Sequence, residues 1–135
     1  MGLALPSFSK VYARFEVNEA AKDIASFLRY AQTRAVIHKK TYQVEFNIPD
    51  HFYRLKEEDP ENKDLPFKEI GGQYGRAFSL PVEVELEAEK PFIFFYPDGK
   101  MDKVRLILSD KKGHYFTVST REQSGYVQLF DFKVE

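Results

Sequence analysis

Few side chains in this sequence combine the type and spacing that chemistry needs. Three histidines, His38, His51 and His114, are the first metal-ligand candidates, since imidazole is the commonest protein ligand for transition metals. No two of them share the short spacing of a helical metal site, and each sits beside turn or charged residues, so surface histidines are expected. Glu83, Glu85 and Glu87 line one face of an alternating segment. Calcium wants convergent loop oxygens, so this row reads as a solvated sheet face that discourages edge pairing. Asp98 lies in Pro97-Asp98-Gly99, a tripeptide whose ordinary use is a tight turn. The run Gly71-Gly72-Gln73-Tyr74-Gly75 lacks the Lys-Ser/Thr that a phosphate-binding loop requires. No nucleophile–base pair or matched pair of acids stands out. The expectation is a protein that is not an enzyme, with no cofactor, no metal and no small-molecule substrate.

One cluster carries charge with more purpose. Arg29, Arg34, His38, Lys39 and Lys40 gather at the end of a helical stretch. They can complement the negative end of the helix dipole, or they can meet nucleic-acid phosphates through Arg29, Arg34, Lys39 and Lys40. Residues 10–40 hold seven Lys or Arg against three acids, whereas the whole chain of 135 residues has a net charge of -1. A basic first third is therefore joined to an acidic body, and no uniform field marks a general polyanion binder. No aromatic-interleaved basic stripe accompanies the cluster, which favours the dipole role.

The elements that must position these residues follow from periodicity. Hydrophobic residues make up 43% and aromatics 16%, enough for one packed domain. From residue 9 to residue 38, Val11, Phe15, Ala21, Ile24, Leu28, Ala31 and Ala35 recur at helical steps, with one longer gap at Asn18. Pro6 stands just ahead, and Ser7 and Ser9 are candidate caps. After Lys40 the period changes to two: Tyr42, Val44 and Phe46 alternate with Gln43 and Glu45. Turn residues at 47–50 predict a hairpin with 52–55, and 56–68 reads as an exposed loop. Further strands are expected at 82–87, 92–96, 104–108, 115–119 and 126–132, with hairpin turns at 111–113 and 123–125. Helix first and strands after, without alternation, predicts an α+β fold: a long N-terminal helix packed by its apolar stripe on one antiparallel β-sheet or sandwich.

There is no cysteine, which removes disulfides and thiol chemistry. No run of about 18 apolar residues occurs, so no segment reads as a membrane span. Yet the opening Met1-Gly2-Leu3-Ala4-Leu5-Pro6-Ser7-Phe8 is aliphatic where a terminus is ordinarily polar.

Three stretches resemble one family. Gly2 to Phe8 resembles the junction at which a type IV pilin-like membrane helix ends. AKDIASFLRYAQTRAVIH at 21–38 is similar to the amphipathic helix of the H-type minor pseudopilins and their pilus relatives, the GspH/FimT family. FFYPDG at 94–99 resembles that family's strand-turn, and Ser124-Gly125-Tyr126-Val127 stands where it commonly carries a Gly-Arg-Val-like strand. The family's basic leader, its cleavage site and its apolar helix with an early glutamate have no counterpart here.

The resemblance implies a division into residues 1–8, the remnant of a truncated membrane helix, and residues 9–135, a single pilin-like domain with its helix at 9–38 and β-rich part at 41–135. Leu3, Leu5, Pro6 and Phe8 would belong to the filament and membrane stem. It further implies a minor pseudopilin of a type II secretion pseudopilus, anchored by one helix in the bacterial inner membrane with its body on the periplasmic side. Its partners would be other pseudopilins or pilins. The alternative it implies is a minor pilin of a type IV pilus or competence system that binds DNA.

Overall fold

The computed structural model describes residues 4–59, 61–62, 64, 66–72, 75–120 and 127–134, with helical side chains described from Val11 onward. One helix, α1 (Ala4–His38), leads. Its 35 residues span about 50 Å. It begins at Ala4, five residues before the expected start at residue 9, so Ser7 and Ser9 lie inside it rather than ahead of it. Pro6 is accommodated because the first-turn N–H groups of a helix have no intrahelical acceptor.

Among the described residues nine strands follow: β1 (Tyr42–Asn47), β2 (Phe52–Glu57), β3 (Lys68–Glu69), β4 (Phe78–Ser79), β5 (Glu85–Ala88), β6 (Phe92–Phe95), β7 (Arg105–Ser109), β8 (Tyr115–Thr120) and β9 (Val127–Phe130). They form two antiparallel sheets. The first runs β3-β2-β1-β6, with β4 also pairing β2, and the second runs β5-β7-β8-β9. The architecture is α+β as expected, with two corrections. The helix does not rest on one sheet: it touches β1 and β6 of the first and β7, β8 and β9 of the second. And two strands that the sequence reading did not expect, β3 at the end of the 56–68 loop and β4 beyond the glycine run, pair Lys56–Glu69 and Tyr53–Phe78 along the outer edge of β2.

The β1–β2 hairpin closes where the turn residues predict, the Asn47 side chain accepting the Asp50 N–H at 3.1 Å. The turn at 110–114 joins β7 to β8, with Gly113 in the left-handed region at φ 87°. The turn expected at 123–125 and the strand start at Tyr126 lie outside the described residues. The row at 82–87 is only half strand. Residues 82 and 83 turn, with Val84 N–H bonded to the Pro81 carbonyl at 3.0 Å, so Val82 is exposed while Val84 and Leu86 are buried. Glu85 and Glu87 do face solvent from β5.

One continuous core joins both sheets to the helix. Ala21, Ile24, Leu28, Ala31 and Ala35 meet Val44, Leu55, Ile93, Phe95, Leu106, Leu108 and Val118, all essentially without solvent exposure. The alanines let the helix backbone approach closely, and each large buried aliphatic contributes about 1.5–3 kcal/mol by leaving water.

Candidate functional site: the projecting helix

The buried part of α1 starts at Val17. Among the described residues before it, none is buried: Val11, Tyr12 and Phe15 are 69%, 58% and 57% exposed. The expected apolar stripe is thus split. Its later members face the sheets, while Val11 and Phe15 continue the helix beyond them into solvent. Val17 and Ala20 bridge the gap noted at Asn18 and are buried. The stem residues Leu5, Pro6 and Phe8 lie on the helical backbone of α1, and Leu3 lies outside the described residues.

At the other end, three of the four cations named as possible phosphate contacts, Arg29, Arg34 and Lys40, have partners within the chain. The Arg29 Nη2 donates to the Val127 carbonyl at 3.1 Å, tying the helix to β9. Arg34 donates from Nε to the Tyr42 hydroxyl at 3.2 Å and from Nη1 to the Tyr30 hydroxyl at 2.8 Å, and lies 5.7 Å from the Tyr42 ring centre. Tyr42 passes the chain on, donating to Glu57 at 3.2 Å, and Lys40 meets the same carboxylate at 3.5 Å. Burial pulls the Arg34 guanidinium down, but the two phenolic acceptors outweigh it and the net direction is up. Lys39 is exposed, at φ 55°, with the Lys40 N–H reaching back to the Ala35 carbonyl at 3.3 Å. That is the left-handed reversal which ends many helices, formed here without glycine. The sequence held one signal for this arrangement: Tyr30 precedes Arg34 by four residues and so shares its helix face.

The Pro97-Asp98-Gly99 turn is also structural. Gly99 N–H bonds to the Tyr96 carbonyl at 3.0 Å, Asp98 accepts the Lys100 N–H at 3.0 Å, and Gly99 takes φ 91°. Gln32 of α1 donates to the Gly99 carbonyl at 2.9 Å, so the turn is clamped to the helix. His114 lies 2.6 Å from Asp110, pinning the β7–β8 turn. Burial alone would raise the Asp110 carboxyl, yet its hydrogen bonds from His114 and from the His114 and Lys112 N–H groups bring it below the usual range. Among the described residues no cluster of His, Cys, Asp or Glu is arranged to hold a metal, and no helix is long and apolar enough to cross a membrane.

A long helix whose second half lines two antiparallel sheets and whose first half extends beyond them is an architecture shared with solved structures. The minor pseudopilin EpsH of the type 2 secretion system of Vibrio cholerae superposes in two structures. One has a TM-score of 0.74 at 12% identity, covering 90% of this chain and 98% of that one. The other has 0.72 at 14% identity, covering 86% and 97%. The chain has the pilin-like fold. The type IV minor pilin FimU of Pseudomonas aeruginosa matches with a TM-score of 0.65 at 15% identity, over 87% of this chain and 90% of that one. No family model and no curated protein matches the sequence. The pilin-like body thus keeps its shape where little sequence is shared. Positions such as Ile24, Leu28 and Ala31 require only an apolar side chain of suitable size.

Proposed function

We propose that this chain is a structural minor pseudopilin of a type II secretion pseudopilus, assembling with other pilin-like subunits for protein export. The observation that carries the proposal is the exposed apolar start of α1, with Val11, Tyr12 and Phe15 in solvent on successive turns ahead of a stretch, Val17 to Ala35, whose apolar face is packed into the core; Val36 and Ile37 are exposed again at the far end. Contiguous exposed apolar surface marks a site of association. In this reading Leu3, Leu5, Pro6 and Phe8 continue the stem toward the inner membrane, residues 1–8 being the remnant of a membrane helix and residues 9–135 the domain on the periplasmic side. Stems pack against one another, and the sheets supply contacts between bodies. A role of this kind needs no reactive group and no cofactor.

The test is photo-crosslinking in the source cells, with a benzophenone amino acid at Phe15 and, as control, at Tyr115. Adducts at Phe15 to other pilin-like subunits, with loss of protein export on deletion of the gene, are the expected result. Adducts only at Tyr115, or unchanged export, would sink the proposal. The DNA-binding alternative gains nothing from the arrangement of Arg29, Arg34 and Lys40, which bond within the protein. Retention of the domain on DNA cellulose at low salt would revive it.

A further inference from the structure

A groove runs along the middle of α1, with β2 and β4 supplying its other wall. Its upper part, about 490 Å3, is lined by Asp23, Phe27, Tyr30, Tyr53, Phe78 and Ser79. Three of the rings form its floor: Phe27 and Tyr53 meet edge to face with centroids 5.1 Å apart, Phe27 and Phe78 are 5.0 Å apart, and Tyr53 stacks on Phe78 at 5.9 Å. A lower part continues past Glu16 and Glu19 toward Tyr12 and Phe15, sharing Asp23, Tyr53 and Ser79 with the upper one.

The polar inventory of this groove is lopsided. Glu16, Glu19 and Asp23 fall on one helix face at steps of three and four, and among the described residues no lysine or arginine lines either part. Glu19 has Lys22 at 3.9 Å, whereas Asp23 has no ion pair among the described residues. Tyr53 is 5% exposed and lines both parts, yet its hydroxyl makes no hydrogen bond among the described residues. The ring is buried while the residue lines the groove, so its oxygen is open to a donor that enters from outside the chain. Burial, and then the neighbouring Glu19, pushes the Asp23 carboxyl up, as expected of an acid lacking a counter-charge.

We infer that this groove receives an arginine side chain presented by a partner protein. The guanidinium is the group whose chemistry answers all three features at once. Its paired N–H donors fit the Asp23 carboxylate, a further N–H reaches the Tyr53 oxygen, and its flat face lies on the aromatic floor. The chain already makes a contact of this kind nearby, with Arg76 positioned 5.5 Å from the Phe78 ring centre. A lysine ammonium offers a point charge and no flat face, so it is the weaker fit. Only the source of the arginine, a neighbouring subunit, rests on the function proposed above.

The experiment uses the 15N-labelled chain titrated with N-acetyl-arginine amide, and separately with N-acetyl-lysine amide. Saturable amide shifts at Asp23, Tyr53 and Ser79 are expected with the arginine compound, several-fold weaker with lysine. Asp23→Asn, at an exposed position, should fold normally and weaken binding about tenfold, and Tyr53→Phe should weaken it less. Equal response to both compounds, shifts confined to other surfaces, or an unaffected Asp23→Asn variant would each overturn the inference. So would a concentration-dependent dimer that fills the groove with a second copy through a non-arginine contact. Failure here alongside crosslinking at Phe15 would remove the groove while leaving the assembly reading intact.

Discussion

The two halves of α1 are built from the same kinds of residue and meet opposite fates. Val17, Ile24 and Leu28 are fully buried, while Val11 and Phe15, one or a few turns earlier on the same helix, stand in solvent. Amphipathicity alone does not separate them. What does is how completely the sheets cover each: from Val17 to Ala35 the apolar face is closed over, whereas Val11 and Phe15 keep more than half of their surface in solvent, although Tyr53 of β2 and Leu80 next to β4 lie near Phe15. Under the function proposed above, that uncovered surface meets a neighbouring subunit.

The sharpest way to break this contrast is a paired truncation. Leu28→Ala should lower the stability of the domain by about 2–5 kcal/mol in urea unfolding, since the site is closed on every side. Phe15→Ala should change it by no more than about 0.5 kcal/mol, as at an ordinary surface site. Comparable losses for both would mean that the first half is packed after all. Next in size is Arg34→Ala, which removes donors from Tyr30 and Tyr42 together and should cost about 1–3 kcal/mol by the same measurement. An unchanged midpoint there would show the cation free for other work.

Tyr53 marks where the packed half begins. Burial, and secondarily Asp23, pushes its hydroxyl up to about 12 from the ordinary phenol value of 10.0. The folded state thus holds this proton more tightly than the unfolded chain. The contribution is fully present below pH 10 and is lost as pH rises through about 12. Unfolding followed by circular dichroism should show a decline in that window on the order of 1 kcal/mol, and Tyr53→Phe should flatten it. Beside the near-silent Phe15→Ala, a small gain belongs to Lys39→Gly. It should relieve the positive φ and gain up to about 1 kcal/mol without altering the exposed half.

Much of this architecture was legible from periodicity. A run of 3.6-step apolar positions followed by period-two segments specifies a helix and then strands whatever the tertiary context. Termination of burial at Val17 was not legible, because Val11 and Phe15 have the chemistry of core residues. Neither were β3 and β4: two residues cannot express a period, and Lys68–Glu69 and Phe78–Ser79 are strands only because β2 offers them an unpaired edge. Val82 misled for a related reason, as alternation continued across a turn that Pro81 initiates. The cations were visible and Tyr30 was a readable partner of Arg34, but Tyr42 reaches Arg34 only through the reversal between α1 and β1, and the Val127 carbonyl comes from an element distant in sequence. The groove was invisible for the same reason: Asp23 and Phe78 share a wall only through the fold.

The connection between α1 and β1 has a mechanical corollary. Only Lys39, Lys40 and Thr41 separate the helix from a strand hydrogen-bonded along both of its edges, to β2 and to β6. Tension applied along the stem would thus be handed at once to two ladders in the middle of a sheet, rather than to a lone edge strand or a slack tether. Held by its stem under an optical trap, the body should release in a single cooperative rip, after the helix end and with no prior gradual lengthening.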